Sequence, residues 1–435
     1  MTIISGFSKF THKQRLAFLV GHSDLNDSQA MCFNEFNATE ENQQRLLSEM
    51  IENYIGNFPI PMGVVTNMMI NNESYIVPFV TEESSVVAAA SKAAKYWAER
   101  GGFHARVEAM TKKGQVHFTW NGNSAVIQQL FPEIKIKFLE ATSEITGKMR
   151  QRGGGISDIQ LLDKTKELKD YYQIDVSFET SDAMGANFIN TTLEKIASVL
   201  LNLPQLNTDE FRIEIIMSIL SNYTPDCKVT CWVECPVEKL SGWNKTLPYN
   251  TFASRFKQSV DIANLDISRA VTHNKGIFNG IDAVLVATGN DYRATAAGAH
   301  AYASRKGTYK GLTMVTLTEG MFRYELEIPL AIGTVGGITQ VHPIVKNVMA
   351  VLKFPDAKKL MMIAAASGLA NNFSAIASLI TTGIQTGHMK MHLSNLLNQL
   401  NATETERSLA NEFFSDKTVS NSAVNDFIIS IRAEL

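Results

Sequence analysis

The most informative part of this sequence reads Thr272-His-Asn-Lys-Gly-Ile-Phe-Asn-Gly280 and continues, after a short apolar run, with Ala287-Thr-Gly-Asn-Asp-Tyr-Arg293. The run predicts a buried strand ending at Ala287, with Lys275 and Asp291 at opposite ends of it. Charge beside a buried strand is costly unless it has a partner or a task. A half-buried lysine can hold a developing oxyanion, and a nearby carboxylate keeps it charged and oriented. Both residues are therefore catalytic candidates, and an internal ion pair beside a glycine-rich turn is the alternative.

Composition and charge exclude several classes of function. At 435 residues the chain is long enough for two or three domains. Apolar residues make up 45% and charged residues 19%, which is typical of a globular protein and not of a disordered one. The formal net charge of -3 predicts no affinity for nucleic acid or for an anionic membrane. Because we find no signal peptide and no run of ~18 apolar residues, we expect a soluble, cytoplasmic protein.

Cysteine and histidine spacing does not favour a metal site. Cys227, Cys231 and Cys235 lie four residues apart in a segment that alternates like a strand, and no recognised zinc or iron–sulfur spacing fits them. We expect structural thiols in a reducing compartment. His388 and His392 lie one helical turn apart, but no third ligand is evident nearby. One of them could act as a general acid near neutral pH, or both could simply be exposed.

Apolar periodicity divides the chain into four segments, residues 1–111, 112–223, 224–380 and 381–435. The second segment alternates strands and helices, which predicts a small inserted α+β domain of the ferredoxin-like type. The first and third segments would then form one discontinuous domain, and a helical piece would follow a hinge near residues 381–387. The expected helices cover Lys9 to Ile55 in part, Val86 onward, Ser124 to Leu130, Ala186 to Leu201 and Ile262 to Val271; the expected strands cover Tyr75 to Val80, Gln115 to Thr119, Ile174 to Phe178, Ala283 to Ala287, Thr313 to Thr318 and Arg323 to Ile328.

Two glycine-containing stretches in the second segment are candidates for phosphate binding. They read Arg152-Gly-Gly-Gly155 and Asp182-Ala-Met-Gly-Ala-Asn187. Glycines before a helix let backbone N–H groups approach a phosphate, and the helix N-terminus favours an anion. Neither stretch is the Gly-x-Gly-x-x-Gly fingerprint, so a Rossmann domain is not supported. Lys148, Arg150 and Arg152 could meet an extra phosphate or form a solvated basic face.

A pair of carboxylates marks the junction of a predicted strand and a predicted helix. Glu82 and Glu83 stand in Thr81-Glu-Glu-Ser-Ser85, directly before an alanine-rich helical pattern. Adjacent side chains point in different directions there, so one can face a cleft while the other caps the helix. A capping role alone is the alternative for both.

These segments together resemble class II 3-hydroxy-3-methylglutaryl-coenzyme A reductases, the soluble, prokaryotic type. The resemblance covers nearly the whole chain and follows the family's motif order. The matching blocks are Glu52-Asn-Tyr-Ile-Gly56, which is similar to a substrate-proximal motif; the Thr81 to Ser91 block, which aligns Glu83 with the catalytic glutamate; the Asp182 to Asn187 block, similar to the dinucleotide-binding motif; the Lys275 and Asp291 blocks; and Gly387-His-Met, which selects His388 over His392.

The resemblance implies an α+β fold with a large, discontinuous, mixed α/β domain that binds the acyl-CoA. It also implies an inserted small ferredoxin-like domain for the nicotinamide cofactor and a C-terminal helical flap that carries His388. In this family the active site forms at a dimer interface, so a homodimer is implied, alone or within a higher oligomer. Neither a membrane anchor nor a metal is expected.

The implied reaction converts 3-hydroxy-3-methylglutaryl-CoA to mevalonate and free CoA by two hydride transfers from NADPH or NADH. Lys275 would stabilise the oxyanion. His388 would protonate the departing CoA thiolate, and Glu83, its pKa raised by burial, would protonate the final alcohol. Asp291 would hydrogen-bond both Lys275 and Glu83. The other implied contacts are Ser85, Arg269, Asn279, Glu52 and Asn53 for substrate, and Asp182, Met184, Gly185, Ala186, Asn187, Arg152 and Gly153 for cofactor.

Four points stay open from the sequence. The basic residues Lys148, Arg150 and Arg152 favour NADPH over NADH, and the physiological direction of the reaction is undetermined. A different NAD(P)H-dependent reductase of an acyl-CoA or aldehyde could use the same scaffold. A catalytically silent protein that binds CoA or a nucleotide is the alternative from another class.

Overall fold

The computed structural model describes residues 3–244, 247–339, 341–381, 383, 393–415, 417 and 419–434. The chain divides into two compact units, Met1–Pro61 and Met62–Leu435. The described residues of the first unit form three α-helices, which confirms the helices expected between Lys9 and Ile55. A capping box begins each of the first two helices: Thr11 pairs with Gln14, and Asn26 pairs with Gln29. These helices are α1 (His12–His22), α2 (Asp27–Met31) and α3 (Glu41–Glu49).

The described part of the second unit contains ten strands and twelve helices. The strands are β1 (Met62–Ile70), β2 (Glu73–Val80), β3 (His104–Met110), β4 (Lys112–Trp120), β5 (Gly155–Asp163), β6 (Tyr171–Glu179), β7 (Ile213–Ser221), β8 (Cys227–Pro236), β9 (Thr313–Thr318) and β10 (Met321–Pro329). The helices are α4 (Ser84–Ala98), α5 (Ser124–Ala141), α6 (Ser143–Arg150), α7 (Ala186–Leu201), α8 (Tyr249–Leu265), α9 (Ile267–Ala287), α10 (Tyr292–Ala303), α11 (Pro343–Val351), α12 (Ala357–Leu379), α13 (393–399), α14 (Glu404–Phe413) and α15 (Asn421–Glu434).

The strands form one hairpin and two four-stranded sheets, all antiparallel. The hairpin pairs β1 with β2, one sheet has the order β3-β8-β10-β9, and the other has the order β5-β6-β4-β7. In the last sheet the chain runs strand, helices, two strands, helix, strand, and β4 lies between β6 and β7. This is the split β-α-β arrangement of ferredoxin-like domains.

The β5-β6-β4-β7 sheet packs on α7 because one face of β4 is apolar. Its buried positions alternate with half-buried ones, and Val116 and Phe118 lie in one core with Leu193 of α7. Gly114 lets the helix approach, since an added Cβ there would lie 2.6 Å from Leu193 Cδ1. Lys112 occupies the same buried face at the start of the strand.

The β3-β8-β10-β9 sheet belongs to a larger core that also contains α4, α9 and α12. Cys227, Cys231 and Cys235 are buried in β8, as the strand alternation predicted. Helix α12 is long and apolar enough to cross a membrane, with a mean hydropathy of 1.4, but 89% of that window is buried inside the protein. It is therefore positioned as a core helix, against which α9 packs.

The predicted strand Ala283 to Ala287 is wrong, and the predicted helix Ile262 to Val271 is helical but consists of parts of two helices that meet at Asp266. Helix α8 ends at Leu265, and Asp266 begins α9 by accepting hydrogen bonds from the backbone N–H groups of Ser268 and Arg269. Helix α9 then continues without a break to Ala287. A short apolar run bounded by glycines does not distinguish a buried helix from a strand by its period.

The glycine-rich turn of the alternative interpretation is also absent here, because Gly276 and Gly280 lie within α9. Gly280 lies where α9 meets α12, and an added Cβ would lie 2.2 Å from the Ser367 carbonyl oxygen. The glycine therefore serves close helix packing and not a turn. Glycine inside a helix is tolerated when tertiary packing of this kind outweighs its lower propensity.

The stretch Arg152 to Gly155 does not precede a helix, which corrects its predicted position. Helix α6 ends at Arg150, and the stretch leads through Gly153, with φ +80°, into β5. Lys148 and Arg150 lie in the last turn of α6. Cations are favourable at a helix C-terminus, which gives these side chains a local role as well.

Candidate active site

Glu83 lies at the junction of β2 and α4, in the N-cap position of the helix. Its side chain does not cap α4. Instead, Ser85 Oγ donates a hydrogen bond to Glu83 Oε1 at 2.5 Å, and Thr81 Oγ1 accepts one from the Glu83 backbone N–H at 3.3 Å. Two hydroxyl groups of the turn therefore hold it in place. The Glu83 carboxylate bonds to one of them and not to the backbone of the helix N-terminus.

Lys275 comes from the first half of α9 and meets this carboxylate. Its Nζ lies 3.1 Å from Glu83 Oε2, and both oxygens of Glu83 are thus engaged by described groups. The Lys275 side chain is 63% exposed and that of Glu83 is 39% exposed in the single chain. The pair is more open than the half-buried site that the sequence predicted.

One side of helix α9 is less buried than the opposite side, and we call it the outer stripe. Asn279 follows Lys275 by four residues and Asp282 follows by seven, so the three lie on one side of the helix. Asp282 Oδ1 is buried without a hydrogen-bond partner among the described residues. Burial raises the pKa of Asp282 to about 7. Nothing in the sequence analysis had singled out this carboxyl group.

Asp291 is the N-cap residue of α10, where its Oδ1 accepts a hydrogen bond from the Ala294 backbone N–H at 3.0 Å. Its other described partner is Arg293, whose Nε lies 3.6 Å away. The hydrogen bonds predicted with Lys275 and Glu83 are absent from the described contacts. The reason for the missing contact with Lys275 is α9 itself, because the helix rises ~18 Å over the twelve positions from Lys275 to Ala287.

Arg269 lies on α9 about 120° around the helix from Lys275 and is half-buried. Burial lowers the pKa of its guanidinium group, and the nearby Tyr324 opposes this effect. The guanidinium also contributes, after burial, to the lowering of the His273 pKa to about 3. No described side chain forms a hydrogen bond or ion pair with the Arg269 guanidinium, so its donors are available to a bound anion.

The N-terminus of α7 is shaped to receive an anionic group. Gly185 is its N-cap residue with φ +92°, and an added Cβ would lie 2.5 Å from Thr180 Cγ2. No side chain caps this helix, so its first backbone N–H groups stay free of side-chain acceptors. Ala186 and Asn187 supply the first two helical positions. The arrangement fits a nucleotide phosphate.

Asp182 and Ala183, at the start of the predicted dinucleotide motif, form hydrogen bonds with neighbouring segments. Asp182 Oδ1 accepts a hydrogen bond from the Ala357 backbone N–H at the start of α12, at 2.9 Å. The Asp182 carbonyl accepts one from Thr334 at 2.8 Å, and Ala183 forms an isolated bridge with Val335. Asp182 therefore positions this loop through its described contacts, while Met184 lines a neighbouring pocket.

Arg152 and Gly153 line a separate groove with an empty volume of about 800 Å³. Ser181 and Lys358 lie in the same groove, so two cationic side chains face a region next to the Asp182 loop. Glu179, also in the groove, already accepts a hydrogen bond from a threonine hydroxyl. Lys358 was missed in the sequence because it stands far from the other motifs.

The remaining predicted residues come from the first compact unit and from the segment around residue 390. Glu52 and Asn53 are exposed in a turn of the first compact unit, and Asn53 has φ +54°. His388 and His392 lie outside the described residues. Among the described residues, no cluster of three or more His, Cys, Asp or Glu side chains could hold a metal ion.

Lys112 is a third residue, after Asp282 and Lys358, that the sequence did not single out. It is 2% exposed, and its Nζ has no hydrogen-bond partner among the described residues. The signal was present in the alternation of β4, because Lys112 shares the period of Gly114, Val116 and Phe118. A lysine in register with core positions indicates a buried amine.

Comparison with known proteins gives one consistent result. The sequence profile of the hydroxymethylglutaryl-coenzyme A reductase family matches residues 11–393. A 3-hydroxy-3-methylglutaryl-coenzyme A reductase of Archaeoglobus fulgidus is 34% identical over 406 residues, which cover 93% of this chain and 88% of the relative. A probable reductase of the same name from Borreliella burgdorferi is 30% identical over 398 residues, covering 90% and 86%.

Solved structures agree with the sequence relatives. The 3-hydroxy-3-methylglutaryl-coenzyme A reductase of Streptococcus pneumoniae superposes with a TM-score of 0.73 at 35% identity, over 99% of this chain and 100% of that chain. A second structure of the Streptococcus pneumoniae class II enzyme, bound to NADPH in open conformations, has a TM-score of 0.73 at 36% identity and covers 87% of this chain and 100% of that chain.

Proposed function

This chain belongs to the hydroxymethylglutaryl-coenzyme A reductase family, and we propose that it reduces 3-hydroxy-3-methylglutaryl-CoA to mevalonate and free CoA. The reaction is an oxidoreduction of the mevalonate pathway in which one thioester consumes two hydrides and two protons. The observation that carries the proposal is the 3.1 Å contact between Lys275 Nζ and Glu83 Oε2, which joins two separated motifs of the family.

Lys275 supplies the positive charge that the first reduction needs. When a hydride adds to the thioester carbonyl carbon, its oxygen becomes an oxyanion, and an ammonium group in hydrogen-bond range stabilises it. Glu83 keeps Lys275 charged and oriented before the substrate binds. The bound reduced nicotinamide supplies both hydrides.

Two groups supply the protons in this proposal. Collapse of the hemithioacetal breaks the carbon–sulfur bond and releases CoA as a thiolate, which His388 protonates. The second hydride converts the aldehyde to an alkoxide, and Glu83 is the proton donor for this oxygen. Ser85, which donates to Glu83 Oε1, holds the carboxyl group in place.

The free carboxylate of the substrate is assigned to Arg269, whose guanidinium has no described side-chain partner. Asn279 and Ser85 lie near Lys275 and Glu83 in sequence and provide further polar contacts. Glu52 and Asn53 are assigned to substrate binding by their motif alone.

Asp291 supports an active site shared between two copies of the chain. Within one chain it follows the end of α9 at Ala287, which lies ~18 Å from Lys275 along the helix axis. If Asp291 takes part in the reaction, it therefore meets the Glu83–Lys275 pair of another copy. We propose a homodimer, alone or within a higher oligomer, with Lys275 and Glu83 from one copy and Asp291 from the other.

The cofactor is assigned to residues 112–223, which form the small inserted domain in this proposal. Residues 1–111 and 224–380 form the large domain that binds the acyl-CoA, and residues 381–435 form the flap. Gly185, Ala186 and Asn187 at the uncapped start of α7 receive the pyrophosphate. Arg152 and Lys358 line the groove together with two carboxylates, Glu108 and Glu179, and the two cations support a preference for NADPH over NADH. The protein is cytoplasmic in this proposal.

The test is oxidation of NADPH and, in parallel, NADH by the purified protein with 3-hydroxy-3-methylglutaryl-CoA. Two cofactor equivalents consumed per thioester are expected. Acyl-CoAs without the free carboxylate should react poorly because Arg269 loses its partner; equal rates would favour a reductase of different specificity. Binding of both ligands without oxidation would favour a catalytically silent protein.

A further inference from the structure

Four buried residues form a closed ring of hydrogen bonds beside the first half of α9. His273 Nε2 lies 2.6 Å from Thr313 Oγ1, and the Thr313 side chain also forms a hydrogen bond with the Tyr324 hydroxyl. The Tyr324 hydroxyl donates to Asn372 Oδ1. Asn372 Nδ2 donates to the His273 carbonyl at 2.7 Å, which closes the ring. The four residues, which we call the α9 ring, are His273, Thr313, Tyr324 and Asn372.

The positions of the protons in the α9 ring follow from the Asn372 amide. The His273 carbonyl can only accept a hydrogen bond, so Asn372 turns its Nδ2 toward it and its Oδ1 toward Tyr324. The Tyr324 hydroxyl therefore gives its proton to Asn372 and accepts one from Thr313. Because the Thr313 hydroxyl has then used its own proton, it accepts a hydrogen bond from His273 Nε2.

The α9 ring leaves the second imidazole nitrogen of His273 without a proton. Burial, followed by the charge of Arg269, lowers the pKa of His273 to about 3, so the imidazole is neutral near pH 7. A neutral imidazole carries a proton on one nitrogen only, which the ring fixes as Nε2. Nδ1 is therefore a buried acceptor, and it has no hydrogen-bond partner among the described residues. A donor that reached it would satisfy a group that now costs free energy.

Arg269 is placed to supply that donor. It precedes His273 by four residues on α9, so the two side chains lie on the same side of the helix. Its guanidinium group is half-buried, and its charge acts on both His273 and Tyr324. A guanidinium group has more N–H donors than a bidentate carboxylate engages. When a carboxylate binds, the remaining donors lose water and need acceptors from the protein.

We propose that His273 is a positioning residue for substrate recognition: its Nδ1 accepts a hydrogen bond from the Arg269 guanidinium when that group binds the substrate's carboxylate. The inference rests on the proposed function, which assigns this carboxylate to Arg269. The α9 ring holds the imidazole in the tautomer that can accept, and it thereby fixes the direction in which the guanidinium points. Substrate affinity then depends on a histidine that does not touch the substrate.

The first test compares two substitutions of His273 in the full-length protein. The amide of His273→Gln can still bond to Thr313 but leaves no acceptor at the place of Nδ1, whereas His273→Asn puts its amide oxygen there. His273→Gln should raise the KM for 3-hydroxy-3-methylglutaryl-CoA about tenfold with kcat changed less than about twofold, because ground-state binding is lost. His273→Asn should recover most of this loss. The control is His117→Gln on β4, a half-buried histidine bonded to the Tyr171 hydroxyl, which should leave KM unchanged.

A double-mutant cycle with Arg269→Ala tests whether His273 acts through Arg269. Calorimetry should show that His273→Gln weakens binding of 3-hydroxy-3-methylglutaryl-CoA about tenfold in the wild type and not in the Arg269→Ala background. Equal losses in both backgrounds, or equal KM values for His273→Gln and His273→Asn, would overturn the inference while the proposed function stands. If the wild type oxidised neither NADPH nor NADH, the proposed function would fail, and the binding cycle would still decide whether the two residues are coupled.

Thr313 provides a second route that leaves His273 in place, in case His273→Gln does not fold. Thr313→Val removes the oxygen that accepts from Nε2, so the tautomer is no longer fixed and KM should rise about threefold. Thr313→Ser keeps the hydroxyl group and should behave as the wild type. Thermal unfolding identifies the variants that are folded. Equal KM values for Thr313→Val and Thr313→Ser would show that the ring does not set the acceptor, which overturns the inference.

Discussion

The two sides of helix α9 differ in burial and in the groups that they contact. The inner side carries His273, Asn274 and Gly280, all buried, and packs against α12 and the segment before β9. The outer stripe carries Lys275 and Asn279, which retain contact with solvent. The difference teaches that the rigidity of this site comes from residues that never meet the substrate, since a packed face positions the side chains on the opposite one.

Buried polar side chains also hold the inner side of α9 in place. Asn274 Oδ1 accepts a hydrogen bond from the Leu312 backbone N–H at 3.0 Å. Asn372 of α12 donates to the His273 carbonyl at 2.7 Å and accepts from the Tyr324 hydroxyl. Because these buried groups satisfy one another, they fix the rotation of α9 about its axis.

The largest effect should come from the outer stripe. Lys275→Ala is expected to lower kcat by about 10²–10³-fold, because it removes the group that stabilises the oxyanion. Stability should barely change, since the side chain is 63% exposed. Steady-state turnover and urea unfolding measure the two. The control is Lys257→Ala, which breaks a comparable surface ion pair with Asp261 on α8.

A normal rate for Lys275→Ala would remove this residue from the mechanism. If Lys275→Ala lost as much stability as an inner-side variant, the outer stripe would contribute to folding as well as to catalysis.

The next effect concerns the inner side. Gly280→Ala should destabilise the protein by about 1–3 kcal/mol, because its Cβ would lie 2.2 Å from the Ser367 carbonyl and push α9 away from α12. The kcat should fall severalfold as Lys275 moves with the helix. Urea unfolding and turnover measure these. Gly147→Ala in α6 is the control, because nothing lies within 4 Å of its added Cβ.

If Gly280→Ala destabilised the protein with unchanged kcat, packing of the inner side would not position the outer stripe. An unchanged stability would mean that α9 and α12 adjust freely at this contact.

The third effect is a pH dependence of stability caused by Asp282 on the outer stripe. Burial raises its pKa from 3.8 to about 7, so between these pH values the unfolded chain releases a proton that the folded chain keeps. Wild-type stability should therefore fall as pH rises through this window. Asp282→Asn should be more stable than wild type at pH 8 by roughly 1–2 kcal/mol, discounted for solvent contact, and equal to it near pH 4.

Denaturant titrations of both proteins at pH 4, 6 and 8 measure this difference. A difference in stability that does not vary with pH would show that the carboxyl group of Asp282 is ionised in the folded protein.

The smallest effect is expected at Ser85, which contacts Glu83, the ion-pair partner of Lys275. Ser85→Ala removes the hydroxyl that donates to Glu83 Oε1 at 2.5 Å and should lower kcat/KM about threefold to tenfold. Ser84→Ala is the control, since Ser84 is the exposed neighbour in the first turn of α4. Steady-state kinetics compare the two. Equal rates for both variants would show that Glu83 is oriented by Lys275 without help from Ser85.

The sequence predicted the regular elements well where one period dominated. Helix α7 and strand β9 begin and end at the residues expected from the pattern. The error at residues 283–287 arose because a fully buried helix and a buried strand are apolar in the same way over five residues. The burial of that segment by α12 was not visible in the local sequence.

The candidate site was predicted as a set of residues and not as an arrangement. Glu83 and Lys275 meet as expected, whereas Asp291 is separated from Lys275 by the length of a helix. Lys112 was overlooked, although its place in the alternation of β4 indicated burial. Motifs show which side chains carry chemistry, but the spacing between them depends on the element that connects them.

By itself the sequence determined which residues could do chemistry here and the local patterns that make most of the helices and strands. The tertiary structure decided which of them meet. Glu83 and Lys275 are 192 positions apart and form an ion pair, whereas Asp291, sixteen positions after Lys275, does not reach it within one chain. The physical reason is that helix and strand formation depends on neighbouring residues, while contact between motifs depends on how α4, α9 and α12 pack around a shared core.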